Sequence, residues 1–282
     1  MNPSVRGAAW MGGAVLSFSA MAIAARQLLP HMGTFEILFF RAAVMFLIVT
    51  GIALRQGPAS VRTKVPGLHL WRNLFHLSGQ ASWVVALSLL PLATVFAIEF
   101  TMAIFTAVLA VVFLGERMTP PRLLMLALGF SGVMVILRPG FAGVQPGALV
   151  MLFGAFCFAV QMIQTKRLVA TEGPTAVLFW MALIQAPVCL VLALPDWRAP
   201  VAADVPWMLF IGLGSYTAHY CLTRAMKIAD AVVVAPVDFF RLPLIAVVGY
   251  LFYDEPFDPA VLLGAFLIFI GTYVSLRMER KA

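Results

Sequence analysis

Ten apolar runs, each about as long as a helix that crosses a bilayer, follow one another with only short polar breaks. They cover residues 7–28, 35–54, 69–90, 92–114, 120–138, 147–168, 174–194, 206–226, 231–251 and 257–276. A crossing helix takes roughly 20 apolar residues. With no water in the hydrocarbon to hydrogen-bond the backbone, only helices and closed barrels can span it. A barrel strand would alternate polar and apolar residues, and these runs are continuous. The expected fold class is therefore all-α: a polytopic membrane protein of ten transmembrane helices. Composition agrees, with 62% hydrophobic and 11% charged residues, where a soluble domain carries about 25% charged. Disorder is excluded, because disordered chains are polar and charged. No soluble domain of useful size fits in the breaks, so function is expected inside the membrane. The first run, after Arg6, has no small-residue cleavage site and reads as a helix rather than a cleaved signal.

The formal charge of +7 would suit a nucleic-acid partner if it lay on one domain face. It lies instead in short loops. With ten helices both termini share a side, and fourteen Lys and Arg fall there, against Arg26, Arg138 and Arg198 opposite. That bias predicts cytoplasmic termini. The expected location is the cell inner membrane, with a lipid bilayer and a small-molecule substrate as partners and no nucleic acid. Oligomeric state is not legible. Cys157, Cys189 and Cys221 sit in apolar runs and read as buried free thiols without metal spacing. No metal and no cofactor are expected.

An offset of 139 residues aligns the chain partly with itself. Glu99-Phe100 falls on Asp238-Phe239, Glu116 on Glu255, Pro120 on Pro259, Gly132 on Gly271 and Gln80 on His219. Near the start the offset becomes 140, where Met11 meets Met151 and Arg26 meets Lys166. Two five-helix units, 1–139 and 140–282, are expected. An odd number of helices makes the second enter the membrane inverted, an architecture of many secondary transporters.

The two matched helix ends carry a resemblance. One unit reads Leu90-Pro91-Leu92-Ala93-Thr94, continues through Glu99 to Phe113-Leu114-Gly115-Glu116, and is followed by Pro120. The other runs from Asp230-Ala231 through Ala235-Pro236 to Phe252-Tyr253-Asp254-Glu255, followed by Pro259. With Thr34-Phe35-Glu36 and Phe39-Phe40-Arg41, these segments make the chain resemble the EamA-type ten-helix permeases of the drug/metabolite transporter superfamily. The resemblance covers nearly the whole chain and implies transport by alternating access through a central cavity. Within that superfamily the sequence is similar to amino-acid exporters and also to S-adenosylmethionine carriers. It thus implies export of small amino acids or related amine-bearing metabolites, with S-adenosylmethionine exchange as the alternative.

Polar residues inside the spans are the candidate site. A charge at mid-bilayer costs at least about 2.5–3.5 kcal/mol and marks function by default. Glu99 and Asp238 would bind a substrate ammonium or exchange a proton, although Asp238 also stands one turn before Arg241 and would pair with it. Arg241 and Arg41 suit a carboxylate through their two-pronged guanidinium; Arg41 is assigned a structural role, with Glu36 a poorly spaced partner. His76, Gln80 and Trp83 share a face of the third helix. Tyr216 and His219 do so on the eighth, and Gln161 on the sixth. Interhelical hydrogen bonding is the plain alternative for these groups. Phe100 and Phe239, with Trp83 and Tyr216, would give aromatic walls suited to apolar side chains or to cations. Glu116 and Glu255 read as structural or gating groups, and Pro91, Pro236 and Pro243 as bending points.

One enzyme reading competes. Gly129-Phe130-Ser131-Gly132 resembles the GxSG motif of intramembrane serine proteases, with His219 as its base. A nucleophile needs that base within hydrogen-bond reach. Close helix packing explains the glycines more simply, and no enzyme activity is expected.

Overall fold

The computed structural model describes residues 3–114, 118–138, 145–228 and 237–279, and among them there are helices and no strands. In chain order the α-helices are α1 (Pro3–Leu28), α2 (Thr34–Gln56), α3 (Pro66–Leu89), α4 (Leu92–Glu99), α5 (Met102–Leu114), α6 (Pro120–Leu137), α7 (Pro146–Leu168), α8 (Pro174–Ala193), α9 (Val205–Ile228), α10 (Arg241–Tyr253) and α11 (Pro259–Glu279). Prolines open α3, α6, α7, α8 and α11, where the missing N–H is one the helix would leave unpaired anyway.

Among the described residues, seven helical segments are long and apolar enough to cross a membrane. Leu47, Leu54, Phe130, Phe153 and Phe252 stand exposed on the outside. In water such a surface would drive aggregation; in lipid it is the solvated face. The chain is a multi-pass membrane protein. Helices α3 and α9 are not among those seven spans. The reason is compositional: α3 carries His69, Arg72, Asn73, His76 and Gln80, and α9 carries Ser215, His219 and Arg224. Of these groups His69, Arg72, Asn73, His76, Gln80 and Ser215 are buried in the interior, while Arg224 is exposed.

Packing is pairwise: α1 lies along α9, α3 along α7, α2 against α8 and α6 against α11. Two of these crossings run over glycines. A Cβ on Gly132 would strike the backbone oxygen of Gly264, and one on Gly264 would strike that of Gly132. Gly79 and Gly154 face each other across α3 and α7, where a Cβ would strike the side chains of Phe158 and Ser82 and crowd the opposite glycine's backbone oxygen at 3.2–3.3 Å. Backbones that approach this closely gain dispersion contact, which holds helices together when lipid is as apolar as the side chains.

The fourth apolar run is not one helix. It breaks between α4 and α5 at Phe100-Thr101, with tight bonds from Thr101 N–H to Ile98 O (3.0 Å) and Ile104 N–H to Thr101 O (2.9 Å). At the break Thr101 Oγ1 donates to Ile98 O at 2.7 Å. The ninth run shows the same interruption: residues 237–239 are helical, Phe240 turns, and α10 starts at Arg241. Each break begins within two residues of its acid, at Phe100 after Glu99 and at Phe240 after Asp238.

Pro91 caps the start of α4, and Pro243 lies in the first turn of α10, three residues past the break at Phe240. Pro236 and Glu116 lie outside the described residues.

Candidate functional site

The breaks bring two acids to one guanidinium. Arg241 Nη1 stands 3.2 Å from Glu99 Oε1, and Arg241 Nη2 donates to Asp238 Oδ2 at 3.4 Å. Three rings close around the cation, with its Cζ 5.0 Å from the Phe18 centroid, 4.9 Å from Phe96 and 5.4 Å from Phe100. Trp83 sets its ring edge against Phe96 at 6.2 Å and lies beside Glu99. Phe100 and Phe239, repeat mates in sequence, meet at 5.2 Å. Two carboxyl groups face one guanidinium, so the cluster is net negative when both are ionised. Glu99 Oε2, Asp238 Oδ1 and Arg241 Nε have no partner among the described residues. Buried polar atoms are nearly always paired, so these uncommitted valences mark a place where a ligand can bond.

A second polar cluster spans α2, α3, α7, α8 and α9. Arg41 Nη2 donates to Gln185 Oε1 at 2.7 Å and its Nη1 to Ser215 Oγ at 3.1 Å. Gln185 Nε2 lies 2.9 Å from Asn73 Oδ1 and 2.8 Å from His76 Nδ1. Arg72 Nε donates to Thr165 Oγ1 at 2.8 Å, and Gln161 Nε2 reaches the same hydroxyl at 2.6 Å. The His76 and His219 rings meet edge to face at 5.5 Å. His219 also contacts Phe18 at 5.6 Å, so Phe18 touches both clusters.

Most of the sequence-derived site residues fall in one cluster or the other. Glu99, Asp238, Arg241, Trp83, Phe100 and Phe239 share the first, and His76, His219, Gln161 and Arg41 the second. Gln80 is buried on the same α3 face, with an unpartnered Oε1. Tyr216 goes elsewhere. It stacks on Tyr220 at 5.7 Å and packs against Met45, Leu178 and Met181 between α2, α8 and α9. Glu36 is buried but does not pair with Arg41, whose bonds run to Gln185 and Ser215. At five residues' separation on a helix the two side chains leave on different faces. Sequence reasoning missed Arg72, Asn73, Gln185 and Phe18. Arg72 counted as a loop charge, yet it precedes His76 and Gln80 by one and two turns, on their face of α3.

Glu255 makes a latch at one end of the bundle. Its Oε1 takes a 2.8 Å bond from Arg26 Nη2, and its Oε2 a 2.7 Å bond from the Leu92 N–H. Arg26 also donates to the carbonyls of Leu87 and Leu90, tying α1, the α3–α4 corner and the end of α10 together. Burial pushes the Glu255 carboxyl up from its ordinary range, while the Leu92 N–H and Arg26 pull it back.

The protease arrangement is absent. Ser131 is exposed on α6 and donates to Ala127 O of its own helix at 2.9 Å, while His219 packs on Phe18 and His76.

Comparison with known proteins agrees with this architecture. The model of the EamA-like transporter family matches twice, over residues 5–138 and 145–277. The S-adenosylmethionine uptake transporter of Rickettsia bellii is 28% identical over 98% of this chain and 95% of its own. The riboflavin transporter of Rhizobium johnstonii is 31% identical over 99% of this chain and 93% of its own. A solved crystal structure with 20% identity superposes with a TM-score of 0.68 over 98% of both chains, a likeness of fold.

Proposed function

The chain belongs to the EamA-like transporter family, and from that premise we propose that it is a secondary carrier of the inner membrane, with ten spans in two inverted five-helix units and cytoplasmic termini. It moves a small amine-bearing metabolite by alternating access, and S-adenosylmethionine is the substrate we put first. One observation carries the reading: two acids and one arginine meet among aromatic rings at the breaks of two interrupted helices. Half-helices that end at a site near mid-membrane are how many secondary transporters hold their ligand. S-adenosylmethionine carries an ammonium, a sulfonium and a carboxylate, so it is net positive and suits this cluster with both acids ionised. Ring faces such as those of Phe100 and Phe239 attract a sulfonium. The relatives named for S-adenosylmethionine uptake support the same choice. Export of small amino acids, the sequence's first expectation, takes second place.

The test is flux into liposomes holding purified protein, with labelled S-adenosylmethionine, riboflavin and small amino acids, with and without a pH gradient. Saturable S-adenosylmethionine flux, lost in folded Glu99→Gln and Asp238→Asn, is expected. Saturable flux of an amino acid or riboflavin with none of S-adenosylmethionine would overturn the substrate choice. Dependence on the pH gradient would identify proton coupling.

A further inference from the structure

Two buried arginines lack the acid partner that three other arginines hold. Arg26 holds Glu255, Arg138 holds Asp258, and Arg241 holds Glu99 and Asp238. Arg41 and Arg72 are buried to 1% and 3% exposure, and the partners they bond are all neutral. For Arg41 these are Gln185 and Ser215; for Arg72 they are Thr165 and Asn73. Among the described residues neither guanidinium has a carboxylate in contact. Arg41 Nε is buried without a partner, and so is His219 Nε2.

The two cations are joined by a relay of two side-chain amides. The side-chain amide of Gln185 takes Arg41 on its oxygen and turns its nitrogen to Asn73, which also accepts from Arg72. The bonds each arginine makes to helices α7, α8 and α9 could be made by a neutral glutamine at far lower desolvation cost. Burying an uncompensated charge is among the most expensive arrangements a protein can hold. A cation kept there in spite of this is explained by an anion that joins it. Phe18 sits between this positive pole and the negative pole at Glu99 and Asp238, touching His219 on one side and Arg241 on the other.

We propose that Arg41 and Arg72 form an anion subsite that takes the carboxylate of the transported molecule, with its cationic end lying across Phe18 toward Glu99 and Asp238. The substrate class is then a zwitterion carrying both an α-carboxylate and a positive group, rather than a simple amine. This rests on the transport reading above.

The experiment compares S-adenosylmethionine with its decarboxylated analogue as competitors of flux. It uses wild type, Arg41→Gln, Arg72→Gln and the charge-keeping Arg41→Lys. Wild type should prefer the carboxylated compound by about 10- to 100-fold, the worth of a charge-assisted hydrogen bond. Either glutamine variant should lose that preference, with the loss falling on the carboxylated compound, and Arg41→Lys should keep part of it. Equal losses for both compounds, or a preference kept in folded glutamine variants, would overturn the subsite. A second measurement does not depend on the substrate. The melting temperature of detergent-solubilised protein is followed in sodium acetate and in sodium chloride at equal ionic strength. Acetate should raise it beyond chloride in wild type and not in Arg41→Gln or Arg72→Gln. No acetate effect, or an equal one from chloride, overturns the carboxylate subsite even if S-adenosylmethionine is carried. An acetate effect that needs the arginines, without S-adenosylmethionine flux, keeps the subsite and rejects that substrate.

Discussion

Because Glu99 and Asp238 share Arg241, their substitutions should not add. In the folded protein Arg241 is 6% exposed along its side chain, with the acids at 3.2 and 3.4 Å. Replacing Glu99 by Gln leaves Asp238 as counter-charge and removes the repulsion between two neighbouring acids. The loss of one charge-assisted bond, about 1.5–3 kcal/mol, is thereby partly offset, and each single variant should cost about 1 kcal/mol. Replacing both strands a buried guanidinium, which costs about 3–5 kcal/mol. The ring contacts from Phe18, Phe96 and Phe100 survive in every variant and cancel from the comparison. The double variant should therefore exceed the sum of the singles by at least about 1 kcal/mol, beyond the roughly 0.3–0.5 kcal/mol scatter of independent sites. Removing the cation as well, by Arg241→Met, should recover most of that loss. The assay is reversible unfolding in mixed micelles by denaturant titration, run as a double-mutant cycle. Additive costs, or no recovery on removing Arg241, would refute the shared-cation reasoning.

Two further outcomes follow from the ends of the bundle. Arg26→Gln or Glu255→Gln should release the α1, α3–α4 and α10 latch. At about 1.5–3 kcal/mol for a charge-assisted bond, the open population should rise about 10-fold or more. A cysteine replacing buried Leu90 should then react correspondingly faster with an impermeant maleimide, and an unchanged rate would show that the latch does not gate. At the start of α9, the bond from His31 at 2.9 Å holds the Asp204 carboxyl below its ordinary value of 3.8. A carboxyl depressed by folding stabilises the protein above its unfolded pKa and loses that contribution as pH falls through the folded one. The melting-temperature gap between wild type and Asp204→Asn should accordingly close on acidification below about pH 4. A gap that stays constant to pH 3 would assign Asp204 a purely steric role.

The sequence was legible wherever physics acts on runs of residues. Helix existence, the positions of most ends and the pairing of Glu99 with Asp238 by repeat all follow from apolar length and from symmetry. The helix break at Phe100-Thr101 was not legible. It contains neither proline nor glycine, and its Thr101 makes the same kind of hydroxyl-to-carbonyl bond that Thr106 and Thr165 make inside unbroken helices. Tyr216 illustrates the other limit: its spacing put it on the face of His219, but a helix face is wide enough for one residue to look inward and its neighbour to stack on Tyr220. Arg72 was hidden by arithmetic, since a charge near a run's end counts equally well as a loop charge.

The repeat also shows which part of the site is shared and which is particular to one half. The acids and Phe100/Phe239 recur in both units, so the negative pole is built from equivalent positions, 99 and 238. The positive pole is built entirely from departures. At the same offset Arg41 faces Trp180, Arg72 faces Ile211, Asn73 faces Gly212, and Gln185 faces Phe46. Arg241 itself falls on Met102. A carrier with two equivalent halves has no need for opposite charges at opposite ends of its interior unless the cargo has opposite ends too. A ligand with a single charge would be met equally well by a pair of like residues related by the repeat, as Glu99 and Asp238 are. The concentration of cations at positions where the two halves differ is thus itself an argument for a cargo with a head and a tail. It predicts that exchanging Arg41 for Trp and Trp180 for Arg, which would move the cation to the equivalent position in the other unit, abolishes discrimination for the carboxylate even in folded protein. Discrimination that survived the exchange would mean that the carboxylate is read somewhere other than at Arg41.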